Sequence, residues 1–205
     1  NDVFRTVTNE GENSLRADLV LLPTSTLELN IGGIVKYASQ LDYQVVLPGF
    51  ARLDGAGNPA PLRVDTSFTA LRAGLYAQAD WSISDQWKLT VGARGDVYAF
   101  LEQEKFALSP RANISYLVAP EMTLRLGGGR YYQAPQFIWM IGDPSNPSNL
   151  KPLRADQAVL GWEWIATPDI KIQVETYYKS YDVYPVRTFR PQAVLAPAGF
   201  DDIYT

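Results

Sequence analysis

Residues 27–37 read LELNIGGIVKY, and the alternation in this stretch decides the fold. Every second residue is apolar or glycine, while the positions between them include Glu28, Asn30 and Lys36. Successive side chains of a β-strand point to opposite faces. The pattern therefore predicts a strand with one apolar face and one polar face.

The same period of two recurs along the chain and predicts about eight strands. Most are close to the roughly 9–11 residues that a tilted strand needs to cross a membrane. In their central parts the apolar face carries no charge, and Arg130 lies at a strand end. The other predicted strands are residues 15–22, 71–81, 89–99, 109–118, 123–132, 157–165 and 170–178.

The links between these strands alternate between short and long. The short links are polar turns at residues 23–26, 84–87, 119–122 and 167–169. The long links are residues 39–66, 100–107, 133–155 and the chain from 182 onward. Short turns at one end and long loops at the other are typical of outer-membrane barrels. We therefore predict an all-β fold, an antiparallel up-and-down transmembrane β-barrel.

The polar face of the predicted strands carries charged side chains, which would line the lumen of such a barrel. The more ordinary alternative for each of them is pairing across neighbouring strands. The charged residues that we predict to face the lumen are Arg72, Arg94, Asp96, Arg111, Arg125, Glu163 and Glu175.

Composition excludes several classes of function. The chain has no Cys and no His, which excludes disulfides, thiol catalysis, Cys/His zinc sites and histidine-based triads. A net charge of -4 without Lys/Arg-rich runs gives no case for nucleic-acid binding. The run Gly127-Gly128-Gly129 falls inside a predicted strand and lacks the Lys-Ser/Thr of a phosphate loop. We predict no enzyme activity, no catalytic residue, no metal site and no cofactor.

A soluble β-sandwich or small barrel shows the same alternation, because only one of its faces meets the core. The pattern alone does not tell which face points inward. Aromatic residues near predicted strand ends favour the membrane barrel, since they resemble interfacial girdles. These residues are Trp81, Trp87, Tyr116, Tyr131, Tyr132, Trp164, Tyr178 and Tyr181.

Residues 106–135 read FALSPRANISYLVAPEMTLRLGGGRYYQAP and closely resemble the barrel domain of TonB-dependent outer-membrane receptors. In that family an SPR-type strand is followed by a short turn with proline, a strand similar to TLRxGxGRYYQAP and a long loop. Residues 150–163 (LKPLRADQAVLGWE) and 172–179 (IQVETYYK) resemble the family in the same order. The resemblance covers roughly residues 70–205, and the first part of the chain matches only in pattern.

The resemblance implies a barrel of about 22 strands with a plugged lumen, which eight strands cannot build. We therefore expect residues 1–205 to be part of such a barrel domain, with the plug domain and both true termini absent. The implied function is TonB-energised uptake of a scarce nutrient, such as a ferric siderophore, across the outer membrane of a Gram-negative cell. The implied partners are outer-membrane lipid, the plug domain, the TonB complex and the nutrient ligand. In this setting the lumen-facing charges would hold the plug.

The long loop that follows residue 132 is the best candidate for ligand contact, since long loops are often functional. The alternative is that its apolar side chains pack on themselves over the barrel mouth. We predict ligand contacts from Arg130, Tyr132, Gln133 and Trp139.

Two other functions remain open at this point. A passive porin-like outer-membrane channel would have no plug upstream of the barrel. A soluble all-β binding module would partition into buffer rather than into detergent.

Overall fold

The computed structural model describes the backbone of residues 5–53, 56–141 and 146–183, and their side chains apart from those of 47–53 and 59–62. The described chain forms β-strands with two short helices between the sixth and seventh strands. The strands are β1 (Arg5–Thr24), β2 (Leu27–Leu53), β3 (Pro59–Ser82), β4 (Trp87–Tyr98), β5 (Phe106–Ala119), β6 (Met122–Gln133), β7 (Leu153–Thr167) and β8 (Ile170–Tyr181). The helices are α1 (Phe137–Ile141) and α2 (Asn146–Asn149).

The strands form one sheet in chain order, and each strand is antiparallel to the next. Two-residue to four-residue turns join the strands at one end, and the links at the other end are longer and hold the helices. This confirms the predicted all-β, up-and-down architecture. Within the described residues, β1 and β8 are the two edges of the sheet. The helices of this part of the chain are too short to span a membrane.

The two sides of the sheet differ in polarity. We call the side against which α1 and α2 pack the helix side, and it carries Arg72 and Arg94. The opposite, open side carries the apolar residues of the alternating pattern. There Leu75 is 73% exposed and Leu126 is 56% exposed. The described sheet therefore does not bury these apolar residues in the core of a sandwich.

The link between β6 and β7 folds back over the helix side of the sheet. Met140 of α1 and Leu150 after α2 are buried against Tyr98, Leu101 and Ala107. The Asn146 side chain is fully buried, and its Nδ2 donates a hydrogen bond to the carbonyl oxygen of Trp139 at 2.7 Å. This amide contact fixes the two short helices to each other, although neither is long enough to be stable alone.

A β-bulge interrupts the regular alternation of β2. In the ladder with β1, Gly11 pairs with Gln40 and Glu12 pairs with Ala38, so Ser39 is an extra residue on β2. One extra residue in a strand moves all following side chains to the opposite side of the sheet.

Beyond the bulge, the apolar residues of β2 lie on the helix side. Leu41, Tyr43 and Val45 are 0–1% exposed, and Leu41 and Tyr43 pack with Phe68 and with residues of α1. The residues that alternate with them are polar and face the open side. We call residues 5–14, 38–46 and 63–70 the extension, and the rest of the sheet the wall.

The extension corrects the prediction that residues 39–66 form a loop. β2 continues to Leu53 and β3 begins at Pro59, and β1 begins at Arg5 rather than near residue 15. The strands continue because their apolar residues find buried partners on α1, a non-local contact that the local pattern does not contain.

Candidate functional site on the helix side of the sheet

Side chains of neighbouring strands meet on the helix side because the register aligns them in rows. One row of paired residues across β1 to β4 is formed by Arg16, Ile34, Gly74 and Asp96. The neighbouring row is formed by Asp18, Gly32, Tyr76 and Arg94. The glycines make room for larger neighbours. A Cβ atom at Gly74 would overlap the Arg94 guanidinium and the Asp96 carboxylate.

On the helix side, Lys36 of β2, Arg72 of β3 and Arg94 of β4 each contact a carboxylate. Arg94 and Asp96 alternate on one strand and form a two-pronged pair, with Nε–Oδ2 at 2.7 Å and Nη2–Oδ1 at 2.6 Å. Glu12 of β1 accepts from Lys36 Nζ at 2.8 Å and also pairs with Arg72. Arg72 therefore forms an ion pair across strands, which was the more ordinary alternative considered for the lumen-facing charges.

These residues surround a cavity of about 350 Å³ on the helix side. Tyr132 and Gln133, at the end of β6, line the same cavity, so the structure brings them next to Arg72, Arg94 and Asp96. Arg16, Lys36, Tyr76 and Tyr98 complete the polar lining. The four cations of the lining are each paired with a carboxylate, and together with three tyrosines they leave N–H and O–H groups that suit an acceptor-rich, partly aromatic molecule.

α1 holds one side of this region in place. The Arg72 guanidinium carbon lies 5.4 Å from the ring centroid of Phe137, a cation–π contact. Trp139 is partly buried and packs against the cluster around Tyr98 and Met140. The structure therefore places Trp139 in a packed cluster that shares Tyr98 with the cavity, although Trp139 itself does not line the cavity.

Arg130 lies apart from the other residues predicted to contact a ligand. Its Nε donates to Asp156 Oδ1 at 2.8 Å and its Nη2 donates to Asp156 Oδ2 at 3.1 Å. Arg154 continues this ladder of charges to Asp182. Arg130 is thus paired at the end of β6 and does not line the cavity.

The remaining charged residues of the prediction lie along β5 to β8. Glu163 is paired with Arg125 and with Lys171, each at 3.0 Å. Glu175 accepts a hydrogen bond from Gln173 Nε2 at 2.8 Å. Arg111 lines a second cavity on the same side of the sheet.

Sequence reasoning missed Glu12 as a member of the site. β1 was expected to begin near residue 15, so Glu12 was placed outside the strand. The alternation Glu10, Glu12, Ser14, Arg16 is visible in the sequence and would have extended the strand. In the described residues, no group of three or more acidic side chains could hold a metal ion.

In the extension, Tyr43 donates a hydrogen bond to Glu10 across the sheet. Burial raises the pKa of the Tyr43 phenol, and the hydrogen bond to the Glu10 carboxylate raises it further. The phenol therefore stays protonated and keeps its role as a donor at physiological pH.

Comparison with known proteins agrees with this architecture. A family model described as "TonB dependent receptor-like, beta-barrel" matches residues 1–202. A search of curated protein sequences found no match.

Solved structures with the same fold include a point variant of the ferric enterobactin receptor of Pseudomonas aeruginosa, with a TM-score of 0.66 and 17% identity. That match covers 97% of this chain and 31% of the receptor chain. The siderophore receptor PirA of Pseudomonas aeruginosa matches with a TM-score of 0.62 and 15% identity over 89% of this chain and 33% of that one. The chain thus spans about a third of the solved receptors it matches. On the family match over almost its whole length, the chain belongs to the TonB-dependent receptor β-barrel family.

Proposed function

We propose that this chain forms part of the barrel of an outer-membrane receptor that takes up a ferric siderophore, energised by TonB. One observation carries the proposal: a member of this family has a sheet with an exposed apolar side and an ion-paired polar side. Such a sheet fits a position between hydrocarbon on its open side and an aqueous lumen on its helix side.

The aromatic residues of the open side support contact with outer-membrane lipid. Trp81 and Trp164 lie beside the short turns and are 48% and 38% exposed. Trp87 stacks on Tyr116 with ring centroids 4.3 Å apart, at the same end of the sheet. Amphipathic rings collected at one level are characteristic of the boundary between lipid and water.

The helix side supports binding of an acceptor-rich nutrient. Its first cavity combines cations, tyrosines and the amide of Gln133. Two of the structures with the same fold are a ferric enterobactin receptor and a siderophore receptor. We propose Tyr132 and Gln133 as ligand contacts in this cavity, and Arg130 and Trp139 as residues that hold the loop and the strand end around it.

The open edges of the sheet support the remaining part of the proposal. In the described residues β1 and β8 each have one strand neighbour, and the chain covers 31% of the first matched receptor. We propose that further strands of the same receptor pair with these edges and that its plug domain fills the lumen. The charged residues of the helix side, among them Arg125, Glu163 and Glu175, then face the plug.

An uptake assay tests the function. The full-length receptor is expressed in an iron-starved Gram-negative strain that lacks its own siderophore receptors. We expect uptake of a radiolabelled ferric siderophore that stops when TonB is removed. Uptake that persists without TonB would instead indicate a passive channel, and the absence of the protein from the outer-membrane fraction would contradict both functions.

A further inference from the structure

The first cavity of the helix side is nearly balanced in charge. Its lining holds four cations, and each of them already contacts a carboxylate. Glu12 contacts both Lys36 and Arg72, and each of the other two cations contacts a carboxylate two residues along its own strand. The cations are Arg16, Lys36, Arg72 and Arg94, and the carboxylates are Glu12, Asp18 and Asp96. Four positive and three negative charges leave a surplus of one positive charge in this set.

The ion pairs of the cavity are formed before any ligand arrives. Arg94 Nε and Nη2 bind the two Asp96 oxygens at 2.7 and 2.6 Å, and the Asp96 side chain is only 12% exposed. A ligand with its own negative charge has to compete with Asp96 and Glu12 for the same cations. Like charges that are brought together at a binding site cost free energy, and such repulsion is a common source of specificity. The cavity therefore disfavours a ligand with surplus negative charge.

The paired cations keep N–H groups that still donate. A guanidinium has five N–H donors and an ammonium has three. Arg94 directs Nε and Nη2 at Asp96, so the two donors of its Nη1 remain. Such donors suit an uncharged oxygen acceptor, because it binds to them without displacing a carboxylate.

The hydroxyl of Tyr98 is a further donor. Tyr98 pairs with Arg72 in the ladder between β3 and β4, lines the cavity and is 6% exposed. Within the part of the chain that the structure describes, its hydroxyl forms no hydrogen bond. Its ring packs with Leu101 and Met140 and makes a T-shaped contact with Phe100, at 6.4 Å between centroids. A buried polar group without a partner is costly, so we expect an acceptor to reach this fixed hydroxyl from the cavity.

The volume of the cavity limits what it holds. About 350 Å³ lies at the lower end of the range for small-molecule sites, which suits one arm of an iron(III) chelate better than the whole chelate. A hydroxamate arm brings one negative charge, and three such arms balance the charge of iron(III). A catecholate arm brings two negative charges, so a chelate with three of them keeps a surplus of negative charge on every arm.

We propose that the first cavity binds one arm of an electrically neutral iron(III) chelate, whose arms each carry a single negative charge as hydroxamates do, and that the Tyr98 hydroxyl donates to an oxygen of that arm. Glu12 and Asp96 set this preference, because they occupy the cations that a negatively charged chelate needs. The proposal rests on the proposed function, since it names the class of siderophore that the receptor takes up.

Binding of two matched chelates to the purified full-length receptor tests the ligand class. Both are synthetic tripods on one scaffold, loaded with radioactive iron(III), with three benzohydroxamate arms in one and three catecholate arms in the other. The arms thus differ in charge while both are aromatic. We expect the hydroxamate complex to bind at least about tenfold more tightly, because one like-charge contact costs at least that factor. Equal binding, tighter binding of the catecholate complex, or binding of neither would overturn the proposal.

Removal of the Glu12 charge tests how the preference arises. Glu12→Gln releases Lys36 and Arg72 and should raise the affinity for the catecholate complex about tenfold, with little change for the hydroxamate complex. Glu163→Gln is the matched control, because Glu163 also contacts one arginine and one lysine, each at 3.0 Å, and both lie outside the first cavity. No gain in Glu12→Gln, or an equal gain in the two variants, would overturn the role of the paired carboxylates.

Removal of one hydroxyl tests the donor. Tyr98→Phe should weaken binding of the hydroxamate complex about fivefold, the factor for one hydrogen bond between uncharged groups. Tyr43→Phe is the control, because Tyr43 is also buried but its hydroxyl donates to Glu10 in the extension. Heat-dependent migration of the folded barrel on a gel shows that each variant has assembled. Unchanged binding in assembled Tyr98→Phe, or an equal loss in Tyr43→Phe, would overturn the assignment of Tyr98.

The outcomes separate this proposal from the proposed function. TonB-dependent uptake of the catecholate complex in preference to the hydroxamate complex would overturn the ligand class alone. Selective binding that meets all expectations, in a receptor that does not transport the hydroxamate complex, would overturn the proposed transport alone.

Discussion

The wall and the extension share the same strands but have opposite polarity. In the wall, Leu75 is 73% exposed on the open side, and the helix side carries ion pairs such as Arg94–Asp96. In the extension, Leu41 and Val45 are buried on the helix side and Gln40 is exposed on the open side. The side on which apolar residues lie therefore changes along a single strand.

This difference shows that the alternation of apolar and polar residues indicates only that a strand has two different sides. The surroundings of the strand decide which of its two sides carries the apolar residues. In the proposed setting the wall meets hydrocarbon outside, whereas the extension meets water outside and α1 inside. The bulge at Ser39 makes the exchange possible without interrupting the ladder between β1 and β2. It lies at the level where the open side changes from apolar to polar residues.

Deletion of Ser39 should have the largest effect on this comparison. It would turn Leu41, Tyr43 and Val45 to the open side, at about 1.5–3 kcal/mol for each buried side chain, or roughly 5–9 kcal/mol together. We expect proteases to cleave the extension in the assembled receptor while the wall stays resistant. Ser39→Ala keeps the residue count and serves as the control, and equal protease resistance of the two variants would contradict the role of the bulge.

Truncation of one buried residue should have a smaller effect. Leu41→Ala leaves a cavity against α1 and should cost about 2–5 kcal/mol, whereas its neighbour Gln40→Ala should stay within about 0.5 kcal/mol. Hydrogen exchange of the amides in residues 38–46 measures the difference. Similar losses of protection in both variants would mean that the two sides of the extension are equally buried.

A charge on the open side of the wall tests the other half of the comparison. Val91→Arg would place a cation near the middle of the bilayer and should cost about 2–4 kcal/mol. Thr90→Arg points to the helix side, where Asp80 accepts a hydrogen bond from Thr90, and should cost less than about 1 kcal/mol. Denaturant unfolding of the receptor in lipid vesicles gives both values, and a larger loss for Thr90→Arg would reverse the assignment of the two sides.

The smallest effect concerns Glu12, at the border between extension and wall. Hydrogen bonds from Lys36 and then from Arg72 lower the pKa of its carboxyl below the ordinary value of 4.5. A lowered pKa in the folded state gives stability that is present above pH 4.5 and is lost as the pH falls through the folded value. Because Glu12 is partly exposed, Glu12→Gln should cost only about 0.5–1 kcal/mol at pH 7. The difference between variant and parent in denaturant unfolding should vanish at low pH, and a constant difference would assign it to packing.

The sequence could predict the wall because its pattern is local. The alternation at residues 27–37 and 89–99 identified the strands and placed Arg94 and Asp96 on one side. Residues 39–66 were predicted as a long link, and the stretch does contain Pro48, Gly49, Pro59 and Pro61, which are typical of turns. The β2 and β3 parts of the extension depend on burial against α1, which lies about 70–100 residues away in the chain.

The candidate site was predictable to the same extent. Alternation placed Arg72, Arg94 and Arg111 on one side of the sheet, because a strand offers a side chain only two directions. It could not predict that Tyr132 and Gln133 would join Arg72 around one cavity while Arg130 pairs elsewhere. That outcome depends on how the link between β6 and β7 folds back, which is set by tertiary packing.

A nitroxide scan of β2 tests the central claim most directly. Single Cys residues are introduced from 27 to 46 in the full-length receptor in lipid bilayers, and this part of the chain has no Cys of its own. The account predicts that odd positions from 27 to 37 are accessible to oxygen from the lipid, and that beyond Ser39 the exposed positions become the even ones, accessible to a water-soluble relaxant. The account would be contradicted if the odd positions stayed the exposed ones through all of β2. It would also be contradicted if the odd positions of the wall were accessible only to the water-soluble relaxant.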